Sequence, residues 1–274
     1  MLFRSDAGAE TVAFAAGPRP SDLPAGTPWI DLGAPRGGLR YELWHRLGRP
    51  RVRIDADVMH APSLAIPATV RPLVVTVHDV AFLRVPTTTT RRGVAFHTRG
   101  LEVARRRADA IIVPSEFTRR ELTVEGFDPA AITVVPLGID PPEDRDPSAI
   151  DSALAAVGVR EPFVLTVGTI EPRKDLPTIV AAVDRARRTV PDLSLVVVGP
   201  RGWGEITGID RPFVRTLGAQ PWSVVDALYR RATAFCLASR YEGFGLPALE
   251  AMARGTATVA TTGDRKSTRL NSSH

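Results

Sequence analysis

Two carboxylates, Glu242 and Glu250, flank a glycine-rich turn that leads into a predicted helix. Pro247 suits the first helical position, where its missing N–H would have no partner in any case, and Gly255 is placed to end the helix. Free amides at a helix start attract phosphates, and glycines let a ligand approach the backbone closely. The residues expected to supply this anion site are Gly243, Phe244, Gly245 and Leu246. Carboxylates beside a phosphate site suit sugar hydroxyls, so the combination indicates a nucleotide sugar, with a plain helix start as the alternative.

A second candidate site follows the predicted strand Phe163–Val167. Gly168 at the end of this strand permits close approach of a ligand, and Arg173 and Lys174 come next to a predicted helix start. Two fixed cations at such a place can pair with a diphosphate and stabilise the negative charge that builds as it departs. The alternative is a basic turn on the surface. Gly199 closes the next strand in the same way, where a ligand loop and a simple tight turn are both consistent with the sequence.

Two further polar residues follow apolar strands. His78 ends the run Val74–Val77, and a lone histidine at such a place is more often structural or hydrogen-bonded at the surface than catalytic. Ser115 comes after another apolar run and is expected first to cap a helix and only second to contact a ligand.

The segment from Glu242 to Gly255 resembles the Glu-x7-Glu motif of retaining glycosyltransferases of the GT-B fold, in the large family 4 that holds many bacterial mannosyl- and glucosyltransferases. The resemblance implies that Glu242 contacts the donor sugar and that Glu250 contacts the ribose. The amides of the turn between them would complete the anion site.

The same resemblance assigns expected roles to the other candidates. Arg173 and Lys174 match the Arg and Lys that grip the donor diphosphate in the family. The loop that contains Gly199 resembles the loop under the nucleotide base and ribose. His78 matches a histidine that points toward the donor sugar, so it joins Glu242 as a predicted catalytic residue that touches the sugar or shapes the site.

A metal site is a competing hypothesis. Asp55 and Asp57 have the spacing of the metal-binding Asp-x-Asp motif of the other transferase fold, GT-A. They precede Val58–Ser63, which is not a nucleotide-binding loop, and Arg173 with Lys174 already supplies counter-charge. We therefore expect no metal and no cofactor, with a nucleoside-diphosphate sugar as substrate.

Composition narrows the class of protein. The chain has 274 residues, 44% hydrophobic and 24% charged, which is ordinary for a globular protein. The net charge is +5, but basic runs such as Arg105–Arg107 carry no interleaved aromatic residues that would stack on bases, so we expect no nucleic-acid partner. One cysteine, Cys236, excludes a disulfide framework and suits a reducing compartment. We expect a cytoplasmic protein, with possible peripheral contact at the inner face of the cell membrane.

Short Val/Ile/Leu-rich runs alternate with helical patterns, which predicts an α/β fold with parallel sheets covered on both faces. The predicted strands are Thr11–Ala15, Leu73–Val77, Ala110–Val113, Ile132–Val135, Phe163–Val167, Leu193–Val198, Ala234–Leu237 and Thr258–Ala260. The predicted helices are Leu39–Leu47, Thr90–Arg107, Glu116–Thr123, Ala149–Val157, Leu176–Arg188, Val224–Ala232 and Leu246–Arg254. Ser115, Ser148 and Ser223 are expected as N-caps and Gly158 as a C-terminal glycine.

The polar, proline-rich run Asp140–Pro147 predicts a boundary between two Rossmann-like lobes. The resemblance to family 4 implies that residues 1–140 form an N-terminal, acceptor-side lobe without its opening segment. Residues 141–263 would form a truncated, nucleotide-sugar-binding lobe, so both lobes of the GT-B fold are expected to be incomplete. The polar residues 264–274 and the opening Met1–Ser5 are expected to be artefactual.

These patterns and the resemblance to family 4 together imply a retaining glycosyltransferase that moves a hexose of the mannose or glucose type to an acceptor hydroxyl in glycan, glycolipid or cell-envelope synthesis. GDP-mannose is the leading donor, and the acceptor would be a glycan or a lipid-linked sugar. A non-catalytic fragment that binds nucleotide sugars and a GT-B nucleotide-sugar 2-epimerase are the alternatives.

Overall fold

The computed structural model describes residues 10–15, 17–21, 23–33 and 38–261. The segments predicted to be artefactual, Met1–Ser5 and residues 264–274, lie outside this range. The chain divides into two compact units, one of residues 1–76 and 99–111 and the other of residues 77–98 and 112–274. This division differs from the predicted boundary at residue 140, which stays a prediction.

Strands and helices largely alternate along the described chain. The strands are β1 (Ala13–Ala15), β2 (Trp29–Asp31), β3 (Met59–Ala61), β4 (Leu73–Thr76), β5 (Ala110–Val113), β6 (Ile132–Val134), β7 (Phe163–Val167), β8 (Ser194–Val198), β9 (Val214–Gly218), β10 (Ala234–Leu237) and β11 (Thr258–Ala260). The helices are α1 (Gly38–Leu47), α2 (Ala81–Arg84), α3 (Arg91–Arg107), α4 (Glu116–Val124), α5 (Pro147–Ala156), α6 (Leu176–Ala186), α7 (Trp222–Arg231) and α8 (Leu246–Ala253). A short 3₁₀ turn at Pro172–Lys174 lies between β7 and α6.

The larger unit contains a parallel sheet with the strand order β11-β10-β7-β8-β9. Successive residues of β8 point to opposite faces of this sheet. Val196 and Val198 pack in one apolar cluster with Leu228 of α7, whereas Leu195 and Val197 pack in another cluster on the α6 side. Both faces are therefore covered, and the predicted α/β class with parallel, doubly covered strands is confirmed.

The remaining strands form a sheet of order β3-β4-β5-β6 and a small sheet in which β1 pairs with β2 in parallel. Residues 135–146, which include all of the predicted boundary run except Pro147, contain no helix or strand, and Pro147 begins α5. The sequence did not predict β2, β3 or β9, nor the four-residue helix α2.

Two of the three predicted helix caps are wrong. Ser115 caps α4 as expected, since its hydroxyl accepts a hydrogen bond from the amide of Thr118. Helix α5 is instead capped by the carboxylate of Asp146, which accepts from the amide of Ser148. Pro221 precedes α7 in place of the predicted Ser223. Gly158 follows α5 with a φ of 63°, as a C-terminal glycine should.

Candidate functional site

The turn between Glu242 and Glu250 forms the predicted helix start, with one difference. Gly245, at a φ of 93°, precedes α8, and Pro247 is the second helical residue rather than the first. Its missing N–H still falls among the amides that a helix start leaves unpaired. Gly255 has a φ of 76° just beyond the last turn, so its predicted role at the helix end is confirmed.

The predicted diphosphate cations lie beside Glu242. Its Oε1 is 2.6 Å from Nζ of Lys174, and its Oε2 is 3.1 Å from Nη1 of Arg173. The three side chains are only 11–18% exposed. Burial alone would raise the pKa of Glu242, but the charges of Lys174 and Arg173 outweigh it and hold the pKa below its ordinary value. Glu242 is therefore ionised at neutral pH.

Sheet topology explains why these residues meet. Lys174 follows β7 and Glu242 follows β10, and the two strands are parallel neighbours. The carboxyl ends of parallel strands meet at one edge of the sheet, where ligands of α/β proteins bind. The sequence singled out the two segments separately, and the pairing of β7 with β10 brings them together.

Arg173 is held by more acceptors than the sequence indicated. Its Nη2 lies 2.7 Å from Oε1 of Glu171, whose side chain is 2% exposed, and its Nη1 donates to the carbonyl of Tyr241 at 2.8 Å. Burial would lower the pKa of Arg173, but the charges of Glu242, Glu171 and Asp79 raise it. The sequence reasoning missed Glu171, although its place two residues before Arg173 was a signal. Glu171, Arg173, Lys174 and Glu242 are called the charge cluster below.

The glycine turn contacts the segment of His78. A Cβ on Gly243 would lie 2.1 Å from the carbonyl oxygen of His78 and 2.8 Å from Cβ of Asp79, so only glycine fits there. The hydroxyl of Ser115 donates to the carbonyl of Gly243 at 2.6 Å. His78 thus lies next to the glycine turn, and Ser115 fixes that turn in addition to capping α4.

The two strand-end glycines pack against neighbouring loops. A Cβ on Gly199 would lie 2.0 Å from the carbonyl oxygen of Gly168, and a Cβ on Gly168 would lie 3.3 Å from the Lys174 side chain. Their φ values are 145° and 146°. The close contact between the loops after β7 and β8 therefore explains by itself why position 199 requires glycine. The expected ligand contacts of both glycines stay predictions.

Glu250 belongs to a different set of contacts. Its Oε2 accepts a 2.8 Å hydrogen bond from the hydroxyl of Tyr229 on α7. Burial raises the pKa of Glu250, while the Tyr229 hydrogen bond and the charge of Arg254 act in the opposite direction. The sequence reasoning did not identify Tyr229 or Arg254. That Glu250 and Glu242 face one ligand stays a prediction.

The rejected metal site shows ordinary surface contacts. Asp55 pairs with Arg71 at 3.2 Å, and its side chain is fully exposed. Within residues 10–15, 17–21, 23–33 and 38–261, no three His, Cys, Asp or Glu side chains are grouped so that they could hold a metal ion. In the same ranges, no helix combines the length and the apolar character that crossing a membrane requires.

Two family models match the chain. The model described as Glycosyltransferase Family 4 matches residues 5–143, which is 139 of the 274 residues. The model described as Glycosyl transferases group 1 matches residues 155–266. The gap between the two matches falls at residues 144–154, just after the predicted boundary.

Curated relatives are glycosyltransferases of several kinds. The O-antigen chain mannosyltransferase B of Escherichia coli is 27% identical over 74% of this chain and 56% of its own length. The D-inositol 3-phosphate glycosyltransferase of Actinosynnema mirum is 35% identical over 56% of this chain and 41% of its own length. A glycogen synthase of Mycobacterium tuberculosis is 36% identical over 57% and 38%, respectively. The chain thus spans about half the length, or less, of these relatives.

Solved structures share the fold. Anabaena HepE in complex with UDP and glucose aligns with a TM-score of 0.63 and 20% identity, over 87% of this chain and 69% of that one. Sucrose-phosphate synthase of Thermosynechococcus elongatus aligns with a TM-score of 0.55 and 21% identity, over 77% and 57%. The predicted fold class, GT-B with two Rossmann-like lobes, is confirmed.

Proposed function

This chain belongs to glycosyltransferase family 4, and on that premise we propose that the protein transfers a hexose from a nucleoside-diphosphate sugar to an acceptor hydroxyl. The transfer retains the configuration of the anomeric carbon. The observation that carries the proposal is the meeting of Lys174, Arg173 and Glu242 where β7 and β10 end. Two mostly buried cations at that edge suit a diphosphate, and an ionised carboxylate beside them suits sugar hydroxyls.

In the proposed reaction the bond between the anomeric carbon and the diphosphate oxygen breaks, and a bond to the acceptor oxygen forms on the same face of the sugar. The electron pair of the broken bond leaves with the nucleoside diphosphate. The departing phosphate accepts the proton of the acceptor hydroxyl. Lys174 and Arg173 stabilise the charge that develops on the diphosphate, and their rigid mounting is what makes that stabilisation effective.

The charge cluster also constrains how a donor is bound. Of the five N–H donors of Arg173, the Nε, Nη1 and Nη2 groups all bond to Glu171, Tyr241 or Glu242. Lys174 has three donors, of which one bonds to Glu242. We therefore assign the direct phosphate contact first to Lys174, with Arg173 contributing charge and fixing Glu242.

The choice of sugar and nucleotide is a finer part of the proposal. The Escherichia coli relative is named a mannosyltransferase, which supports GDP-mannose, whereas HepE is a structure with UDP and glucose, which supports a UDP-sugar. We propose mannose or glucose as the transferred sugar and a glycan or lipid-linked sugar as the acceptor. A cytoplasmic location, with peripheral contact at the membrane, belongs to the same proposal.

Calorimetric titration of this chain with GDP and UDP tests the proposal directly. Lys174→Met should weaken binding of the preferred nucleoside diphosphate by about tenfold or more, because a charge-assisted contact to phosphate is lost. Arg188→Met, which removes a cation from the exposed turn just after α6, is the matched control and should bind like the parent chain. Equal affinity of Lys174→Met and the parent would overturn the assignment of the site.

Activity is measured with the corresponding sugar donors and a set of hydroxyl acceptors, and the anomer of the product is read by NMR. Transfer with retention is the expected result. Release of free sugar without an acceptor would instead support an epimerase, and donor binding without any turnover would support a non-catalytic binder.

A further inference from the structure

We propose that Tyr229 is a positioning residue, which orients the Glu250 carboxylate so that one of its oxygens is presented to the ribose hydroxyls of the nucleotide. The inference rests on the proposed function, because it presupposes that a nucleoside diphosphate binds beside α8. It adds a residue from α7, outside the Glu-x7-Glu motif, to the recognition of the nucleotide.

The hydroxyl of Tyr229 has a fixed position. Tyr229 is fully buried on α7, and its ring packs against Phe235 of β10 at 5.6 Å and against Trp222 at 6.5 Å between centroids. The guanidinium of Arg254 lies 5.9 Å from the centroid of the same ring. A side chain packed on these sides has one rotamer, so the hydroxyl is directed at Glu250 without a further entropic cost.

The carboxylate of Glu250 is held at one oxygen. Its Oε2 accepts the hydrogen bond of Tyr229 at 2.8 Å. Across the part of the chain that the structure describes, no hydrogen bond or ion pair is found for Oε1. A carboxylate can accept at both oxygens, so Oε1 keeps its capacity for a ligand hydroxyl. Glu250 is half-buried, and a half-buried carboxylate without a fixed donor would sample several rotamers.

A second set of contacts fixes the helix that carries Glu250. Arg254, the residue just after the last turn of α8, donates through Nε to Oδ1 of Asp226 at 2.5 Å and through Nη1 to the carbonyl of Glu250 at 3.1 Å. Asp226 is buried on α7 and also pairs with Arg230 and Arg145. Helices α7 and α8 are thus joined by a buried ion pair as well as by the bond between Tyr229 and Glu250. The contact between the two helices fixes the backbone position of Glu250, and the hydrogen bond from Tyr229 fixes the rotamer of its side chain.

The test uses ligands that differ only at the ribose. The parent chain and Tyr229→Phe are titrated with the preferred nucleoside diphosphate and with its 2′,3′-dideoxy analogue, which offers Glu250 no hydroxyl. Tyr229→Phe should weaken binding of the ribonucleotide by about fivefold, the usual effect of one lost hydrogen bond, and leave binding of the dideoxy analogue unchanged. Tyr41→Phe, a tyrosine of the other compact unit, is the matched control and should bind both ligands like the parent.

The pH dependence of ribose-selective binding distinguishes a positioning role of Tyr229 from a role in stability alone, which would not change it. Burial raises the pKa of Glu250, and the Tyr229 hydrogen bond and the charge of Arg254 lower it. The next charged groups are Asp226 and Arg230 on α7 and Arg145, which precedes α5. Loss of the Tyr229 hydroxyl should therefore shift the midpoint of ribose-selective binding to higher pH. If Tyr229→Phe does not fold, 3-fluorotyrosine at position 229, whose hydroxyl is a stronger donor, should shift that midpoint to lower pH.

The outcomes separate this inference from the proposed function. A parent chain that binds no nucleoside diphosphate contradicts the proposed function itself. A parent chain that prefers the ribonucleotide, combined with a Tyr229 variant that weakens both ligands equally and leaves the pH midpoint in place, overturns only the positioning role. In a Glu250→Ala background, Tyr229→Phe should have no additional effect on ribose selectivity, and an additional loss would also overturn it.

Discussion

At the scale of single residues, Glu242 determines the charge that an incoming diphosphate meets. Lys174 and Arg173 supply two positive charges, and Glu242 and Glu171 supply two negative charges within ion-pair distance. The charge cluster therefore has no net charge. The sequence predicted the two cations but not that two carboxylates would balance them. A diphosphate gains from these cations only by sharing them with Glu242 or by displacing it.

This balance predicts the effect of neutralising Glu242. Glu242→Gln should bind the free nucleoside diphosphate more tightly than the parent chain, by about 1 kcal/mol or more, because the competing carboxylate charge is gone. Sugar transfer should fall in the same variant, since the proposed contact between Glu242 and the sugar is weakened. Glu161→Gln, an exposed carboxylate beside β7, is the control for a general change in charge. Weaker diphosphate binding by Glu242→Gln, measured by calorimetry, would contradict the competition.

The lowered pKa of Glu242 also predicts how stability depends on pH. A carboxylate whose pKa is lower in the folded chain stabilises the fold at pH values above its ordinary value of 4.5, and this stabilisation is lost as the pH falls toward and through the folded pKa. Urea unfolding between about pH 6 and 3 should show a loss of stability for the parent chain that is smaller for Glu242→Gln. Identical pH profiles for the two chains would show that the ion pairs with Lys174 and Arg173 contribute nothing net.

At the scale of elements, the glycine turn depends on the segment that contains His78. The carbonyl of Gly243 accepts from Ser115, and the missing side chain of Gly243 makes room for the backbone of His78 and Asp79. Helix α8 therefore starts in a place set by residues more than a hundred positions earlier in the chain. No local pattern in the sequence reveals that dependence.

Gly243→Ala tests this arrangement. The added Cβ would meet the His78 carbonyl oxygen at 2.1 Å, and a backbone atom cannot move aside cheaply, so we expect a loss of about 1–3 kcal/mol in stability. Nucleotide binding should weaken together with stability because the helix start is displaced. Gly138→Ala is the matched control, since a Cβ there has nothing within 4 Å, and its unfolding midpoint should be close to that of the parent. Equal midpoints for the two variants would mean that the turn adapts to the extra methyl group.

The elements that the sequence predicted are those with a strong local signal. Strand β7 and strand β10 were predicted with their observed bounds because buried parallel strands have almost continuous apolar runs. Strand β9 was missed because it is the outer strand of its sheet and its residues Arg215 and Thr216 are exposed. Strand β3 was missed because His60 lies between its two apolar residues, so it has no continuous apolar run.

The candidate site divides in the same way. Glu242, Lys174 and Arg173 carry motif signals, and the sequence identified them before their contact was known. The partners of the site residues were not identified. Glu171, which holds Arg173, resembles a surface turn residue in the sequence, and Tyr229, which bonds to Glu250, resembles one more apolar position of an amphipathic helix. Asp226 and Arg254 are 28 residues apart and meet only through the packing of α7 on α8. Pairings of that kind follow from tertiary packing, which single-sequence patterns do not contain.

At the scale of the whole molecule, the source of counter-charge decides whether nucleotide binding requires a divalent ion. The positive charge that faces the proposed diphosphate comes from Lys174 and Arg173, which are held in place by ion pairs and by the carbonyl of Tyr241. Fixed cations stabilise a leaving diphosphate without a metal bridge between its phosphates. The competing Asp55 is exposed and pairs with Arg71.

We therefore predict that the affinity of this chain for its nucleoside diphosphate is the same in EDTA as in millimolar Mg²⁺ or Mn²⁺. Calorimetry under the three conditions measures it, with Asp55→Asn as a control that should bind like the parent in each. The physical reason is that both carboxylates of the cluster, Glu171 and Glu242, are already paired with cations. A metal ion would have to displace Lys174 from Glu242, or would bind without a free carboxylate to balance its charge. A loss of affinity in EDTA that Mn²⁺ restores in the parent chain but not in Asp55→Asn would overturn the prediction. It would also make Asp55 a metal ligand and leave Lys174 and Arg173 with a structural role.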